Sequence, residues 1–76
     1  MLVSPADYVI RTLGGLTKTA NALGIAVTTV QGWKVRGRIP QHHWHRLIEL
    51  AADDGKKIGL PDFLKKHEVE GAENAA

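Results

Sequence analysis

Thr28 and Gln31 stand three residues apart, and basic side chains follow at Lys34, Arg36 and Arg38. On a 3.6-residue period Thr28 and Gln31 point away from Val30 and Trp33. Their hydroxyl and primary amide form hydrogen bonds without carrying charge, while the cations beside them suit phosphate. Duplex DNA asks for this combination, because base edges are read by polar side chains and the backbone is held largely by cations. Gln can pair with N6 and N7 of adenine, and Thr can bond either way or touch a thymine methyl. These two residues are the first candidates for base readout, and Val27 offers a thymine-methyl contact. Phosphate contacts are assigned to Lys18, Thr29, Lys34, Arg36 and Arg38. Thr17 joins them through its hydroxyl and amide, since the start of a helix favours an anion. A solvated helix face without a ligand is the plain alternative, and the coincidence of polar face with basic segment favours DNA.

Other chemistries find less support. His42, His43 and His45 invite a metal site, but His42 and His45 alone share a helical face, and no third ligand stands at a recognisable spacing. They read as partly exposed imidazoles at the start of a helix, one of them packing against Trp44. No Ser-His-Asp or paired-carboxylate set is present, and a chain this small has little room to enclose a substrate. The expectation is therefore no enzyme activity, no metal, no cofactor and no small-molecule substrate. Trp33 and Trp44 fall on apolar helical stripes and read as core rather than stacking platforms.

The elements that would position these residues follow from punctuation and periodicity. Ser4-Pro5 opens a first helix, with Asp7 near its positive end. Ala6, Val9, Ile10 and Leu13 form its buried stripe, and Gly14-Gly15 ends it near Leu13. A second helix from Leu16 or Thr17 to Leu23 turns Leu16, Ala20 and Leu23 inward, and small Ala20 lets another helix cross closely. Gly24 reverses the chain over Ile25. A third helix spans about Val27 to Lys34, with Ala26, Val30 and Trp33 on its core side and Gly32 outward, where a partner surface can approach the backbone. A short turn containing Gly between two short helices is the signature of a helix-turn-helix unit. Residues 35–40 form a basic loop. A fourth helix runs from Pro40 or Gln41 to Ala52 with Trp44, Leu47, Ile48 and Ala51 inward, and Asp53-Asp54-Gly55 stops it. Residues 56–59 are left as extended or irregular, and Leu60 to Lys66 reads as a last short helix.

The chain has 76 residues and no cysteine, so one small domain must be held by helix packing without disulfide or thiolate reinforcement. Net charge is +2 and unevenly spread: residues 1–67 carry +5, while the last nine carry −3. A basic body is compatible with a polyanionic partner, although ordinary solubilising charge accounts for the excess nearly as well. Asp7 and Arg11 interrupt the N-terminal stretch before a signal-peptide core develops, and no run reaches the roughly 20 apolar residues of a membrane span. A cytoplasmic location is the default, with association to the nucleoid when bound to DNA.

The run GGLTKTANALGIAVTTVQGWKVRGRIP, followed by HHWHRLIELAADDG, resembles the lambda-repressor-like helix-turn-helix regulators, especially small Cro-type proteins of phages and prophages. Ala20 stands at the helix-crossing position of that family, Gly24 at its turn, and Trp33 as anchor of its second helix. The resemblance implies an all-α, compact four- to five-helix DNA-binding domain over 1–67, with its motif at 16–35 and a disordered acidic tail over 68–76. It further implies a bacterial transcriptional regulator, most simply a repressor, binding double-stranded operator DNA as a homodimer. Dimer contacts are expected from the end of the fourth helix or Leu60 to Leu64. The chain departs from the family pattern at Leu16, where many relatives carry a backbone-contacting Gln, and at Ala26 and Val27, which replace a polar pair. The absent Ser-type cap costs the third helix about 1 kcal/mol. A different class of function, a protein-interaction module such as an adaptor or antitoxin-like partner, would keep the fold and use Val27, Val35, Phe63 and Leu64.

Overall fold

Ser4 starts the helical part of the chain. In the computed structural model, which describes residues 2–68, its Oγ accepts the Asp7 amide at 3.1 Å and caps α1 (Pro5–Thr12). Asp7 then receives Arg11 Nε at 2.9 Å, one turn on. Ala6, Val9, Ile10 and Leu13 are all buried, as their spacing predicts. Gly14-Gly15 turns the chain into α2 (Leu16–Leu23), whose Ala20 is fully buried.

Gly24 closes α2 in the left-handed conformation, at φ 71° and ψ 32°, which costs a glycine little and most residues more. The Ile25 amide returns to the Ala20 carbonyl at 3.0 Å, satisfying a carbonyl that the helix end leaves free. α3 (Val27–Arg36) follows and packs extensively against α2. Ala26 does not share the core side of α3. It is the residue before the helix, with extended backbone and an exposed side chain, and Val30 and Trp33 alone bury the inner face.

α3 continues two residues beyond the expected Lys34. Gly37, at φ 83°, is its left-handed terminus, and the amides of Gly37 and Arg38 bond the Trp33 carbonyl at 2.8 and 3.2 Å. Val35 and Arg36 therefore belong to the helix rather than to a loop. The loop that remains is anchored by Ile39, which is buried between exposed Arg38 and half-buried Pro40.

The fourth helix starts late. Gln41–His43 form a 3₁₀ turn, and α4 (Trp44–Asp53) begins only afterwards, with no side-chain cap. The Trp44 indole N–H donates to the Ile39 carbonyl at 2.7 Å, holding the start of α4 against the loop. His43 packs on Trp33, with ring centres 4.8 Å apart, whereas Trp44 stacks on Phe63 at 5.0 Å. Leu47 and Ala51 are buried, and Ile48 packs partly buried against the core.

Residues 56–59 have no regular structure, and Ile58 from this connector is buried in the core. The expected last helix is a single 3₁₀ turn, Leu60–Phe63. Asp62 caps its start, its Oδ2 accepting the Gly59 amide at 2.9 Å, while the Asp62 carbonyl lies 3.0 Å from His67 Nε2. The chain is thereby drawn into β2 (His67–Glu68), which pairs antiparallel with β1 (Leu2–Val3). Leu2 faces Glu68 and Val3 faces His67 in this short ladder, and Tyr8 stacks on His67 at 3.7 Å. The described residues are thus mostly helical, with four α-helices, and their two ends are tied by a small sheet that helical periodicity did not foretell. The expected tail lies outside the described residues except for Glu68, which belongs to the sheet. Thr19 is another unforeseen core member, 1% exposed, with a hydroxyl that has no hydrogen-bond partner among the described residues.

Candidate nucleic-acid interface

With Val30 and Trp33 buried, a step of about 100° per residue sets the rest of α3 around its axis. Thr28 and Val35 point most directly outward. Gln31 and Gly32 lie to either side of that line, Val27 and Lys34 form one flank, and Thr29 and Arg36 form the other. All are exposed except Gly32, which is partly covered. The side chains of Thr17, Thr28, Thr29 and Gln31 make no hydrogen bond to any described residue. Five of the expected contact residues therefore share one helix surface with Arg36, and Arg38 follows just past its end. Val35, 79% exposed in the middle of this face, was placed in a loop by sequence reasoning. Gly37, rather than Lys34, marks the helix end.

α3 lacks a local clamp at its start. Ala26 provides no side-chain acceptor and the first turn holds no acid, so the Val27 and Thr28 amides and the positive end of the helix dipole are left open, while the Thr29 amide bonds the Ala26 carbonyl at 3.1 Å. α2 begins in the same way, after Gly15, with Thr17 and Lys18 exposed in its first turn. Lys18 is nonetheless committed elsewhere. Its stem lies over Gly14, and its Nζ is 3.8 Å from Asp54 Oδ2, which Lys56 also approaches at 3.7 Å. This ammonium is less free for phosphate than those of the α3 region, although an exposed pair of this kind is weak and easily exchanged.

Along the sequence, charge to either side of α3 is of one sign. No acidic residue occurs between Asp7 and Glu49, a stretch that contains Arg11, Lys18, Lys34, Arg36, Arg38 and Arg46. This is a stronger signal than net charge, and it was readable from the sequence. Beneath α3, burial and the neighbouring His42 push the His43 imidazole below its ordinary value of 6.5. His42 and His43 rings stand 4.1 Å apart, His45 lies 3.7 Å from Glu49, and among the described residues no three metal-ligating side chains converge.

Compared with protein-family models, curated proteins and solved structures, the chain matches none. One surface hollow, of about 210 Å³, is lined by Leu13, Lys18, Ala22, Leu50, Asp53 and Asp54, none of them a residue of α3. No described helix is long and apolar enough to cross a membrane.

Proposed function

We propose that this chain is a sequence-specific double-stranded DNA-binding regulator of the lambda-repressor-like, Cro-type class, most simply a repressor acting in a bacterial cytoplasm. One observation carries the reading. α3 follows α2 through the tight Gly24 turn and presents an uncharged polar face, Thr28 and Gln31, bordered by Lys34, Arg36 and Arg38 with no carboxylate on the helix. A surface of this kind suits a major groove, where an α-helix fits and amide and hydroxyl groups meet base edges. In this reading Thr28 and Gln31 read bases, Val27 contacts a thymine methyl, and Thr17, Lys18, Thr29, Lys34 and Arg38 hold phosphates. The molecule is 29 Å in its longest dimension. One copy then covers one half-site, and two copies on half-sites about 34 Å apart supply adequate contact. Binding as a homodimer on DNA is therefore part of the proposal.

Titration into duplexes selected from a random pool, repeated over a salt series, tests the reading. Affinity should fall log-linearly with salt, by close to one power for each neutralised phosphate. Arg38→Ala should weaken binding to every sequence and reduce that slope by about 1, while Gln31→Ala should relax base preference at one position. Failure to retard any duplex at low salt would sink the proposal. Val35 supports a second reading, a protein-interaction surface, since a large apolar side chain 79% exposed is what a protein partner would cover. Phe63 cannot belong to such a surface because it is buried, which leaves Val27, Val35 and the 71% exposed Leu64. A stoichiometric protein partner that protects α3, without DNA retardation, would favour it.

A further inference from the structure

Arg36 begins at the end of α3, yet its head lies a turn earlier. A methyl group built on Gly32 would stand 3.2 Å from Arg36 Nη1, 3.6 Å from Nη2 and 3.7 Å from Cζ. The guanidinium therefore lies across the bare backbone of Gly32, closer than a side chain at that position would ordinarily allow and in the direction set by the N-terminal tilt of helical side chains. Gly32 in turn follows Thr28 by one helical turn and adjoins Gln31. Thr28, Gly32 and Arg36 form a single i, i+4, i+8 row, so the charged head sits within the outward face. No described residue uses its donors: Arg36 makes no ion pair or hydrogen bond among them. The absence of any acid from Tyr8 to Ile48 leaves no nearby carboxylate in the sequence to claim it.

Resting on the DNA-binding reading above, we infer that Arg36 is a base-reading residue selective for guanine, and that Gly32 is its seat. A guanidinium presents paired N–H donors in a fixed fork, and guanine is the base that offers two acceptors, O6 and N7, at one major-groove edge. Lys34 and Arg38 border the helix face or follow it and meet phosphates, whereas Arg36 is turned back over the line of Thr28 and Gln31. Glycine at position 32 costs helix stability relative to Ala. The space it leaves is occupied by the arginine head, which gives that residue type a use in recognition rather than in folding.

Two substitutions that keep the positive charge test this assignment: Gly32→Ala, which places a methyl against the guanidinium, and Arg36→Lys, which removes the fork. Each is measured with selected duplexes and their single-base variants across a salt series, alongside thermal unfolding. Arg36→Lys should erase roughly five- to a hundredfold of preference for guanine at one position, and Gly32→Ala should erase part of it. The salt slope should stay within about half a unit of the parent's in both. Gly32→Ala should also melt higher than the parent, separating recognition from stability. Parental guanine preference in both variants would overturn the assignment and leave DNA binding intact. Uniform weakening on all sequences by Arg36→Lys would return Arg36 to the phosphate contacts and overturn it equally. A parent protein that binds no duplex would overturn the assignment together with the reading it rests on.

Discussion

α1 and α3 are both short helices, but they are secured in opposite ways. α1 is closed by its own sequence: Ser4 caps its amides, Pro5 needs no amide partner, and Asp7 both faces the positive end of the dipole and holds Arg11. α3 has none of these devices. It begins after Ala26 with no side-chain cap and no acid, and carries a glycine in its middle. Two buried side chains, Val30 and Trp33, hold it from beneath. The contrast teaches that, of these two, the helix with less local support at its start is the one whose polar groups remain available to a partner. A carboxylate or cap on α3 would stabilise it and also occupy, or repel anions from, the surface proposed to meet DNA.

Removing the support beneath α3 should have the largest effect. Trp33 is 2% exposed, so Trp33→Ala should cost about 3–5 kcal/mol. A domain of this size holds on the order of 5 to 10 kcal/mol in total, so urea titration should show most of that stability gone. Exposed Gln31→Ala should move the midpoint within about 0.5 kcal/mol. A loss below about 1 kcal/mol for Trp33→Ala would mean that α3 is not held from beneath.

Exchanging the helix starts is the next sharpest intervention. Ser4→Ala should destabilise by about 1 kcal/mol, and Ala26→Ser should stabilise by a similar amount. The two sites lie on different helices, so their effects should add in the double variant to within about 0.5 kcal/mol. Equal and small effects of both would erase the distinction between the two helix starts.

The smallest effect concerns the far end of α3, where His43 packs on Trp33. Its folded-state affinity for a proton is lowered, first by burial and then by His42. The unfolded chain then binds more protons in acid, so this contribution to stability is complete above about pH 6.5 and declines as pH falls toward the lowered folded value. The difference in unfolding free energy between the parent and His43→Gln, followed from pH 7.5 to 5, should narrow on acidification. A difference independent of pH would remove the titrating role of His43.

Much of the helical frame was legible because its signals are local. Ser4-Pro5, Gly14-Gly15 and Gly24 mark helix ends within a turn of themselves, and the stripe Ala6-Val9-Ile10-Leu13 declares its buried face through spacing alone. Within the candidate interface, Thr28 and Gln31 were readable as outward because Val30 and Trp33 set the opposite side. The misplaced features were those in which a local signal was overruled. Val35 and Arg36 looked like loop residues beside Gly37, but the Trp33 carbonyl bonds both following amides and carries the helix on. Leu60 to Lys66 reads as helical by composition, yet the Asp62 carbonyl meets the His67 ring and the chain turns into β2.

The sequence by itself determined four helices, their apolar stripes and an acid-free basic stretch around α3, since capping, periodicity and charge act within a few residues. Tertiary structure decided what depends on distant partners. Leu2–Val3 and His67–Glu68 have no period to detect at two residues each, and become strands only on meeting across the chain. Ile39 and Ile58 lie in loops and enter the core because neighbouring helices leave them space. Arg36 settles over Gly32 only after the helix continues past Lys34, because an i, i+4 approach does not exist in a loop.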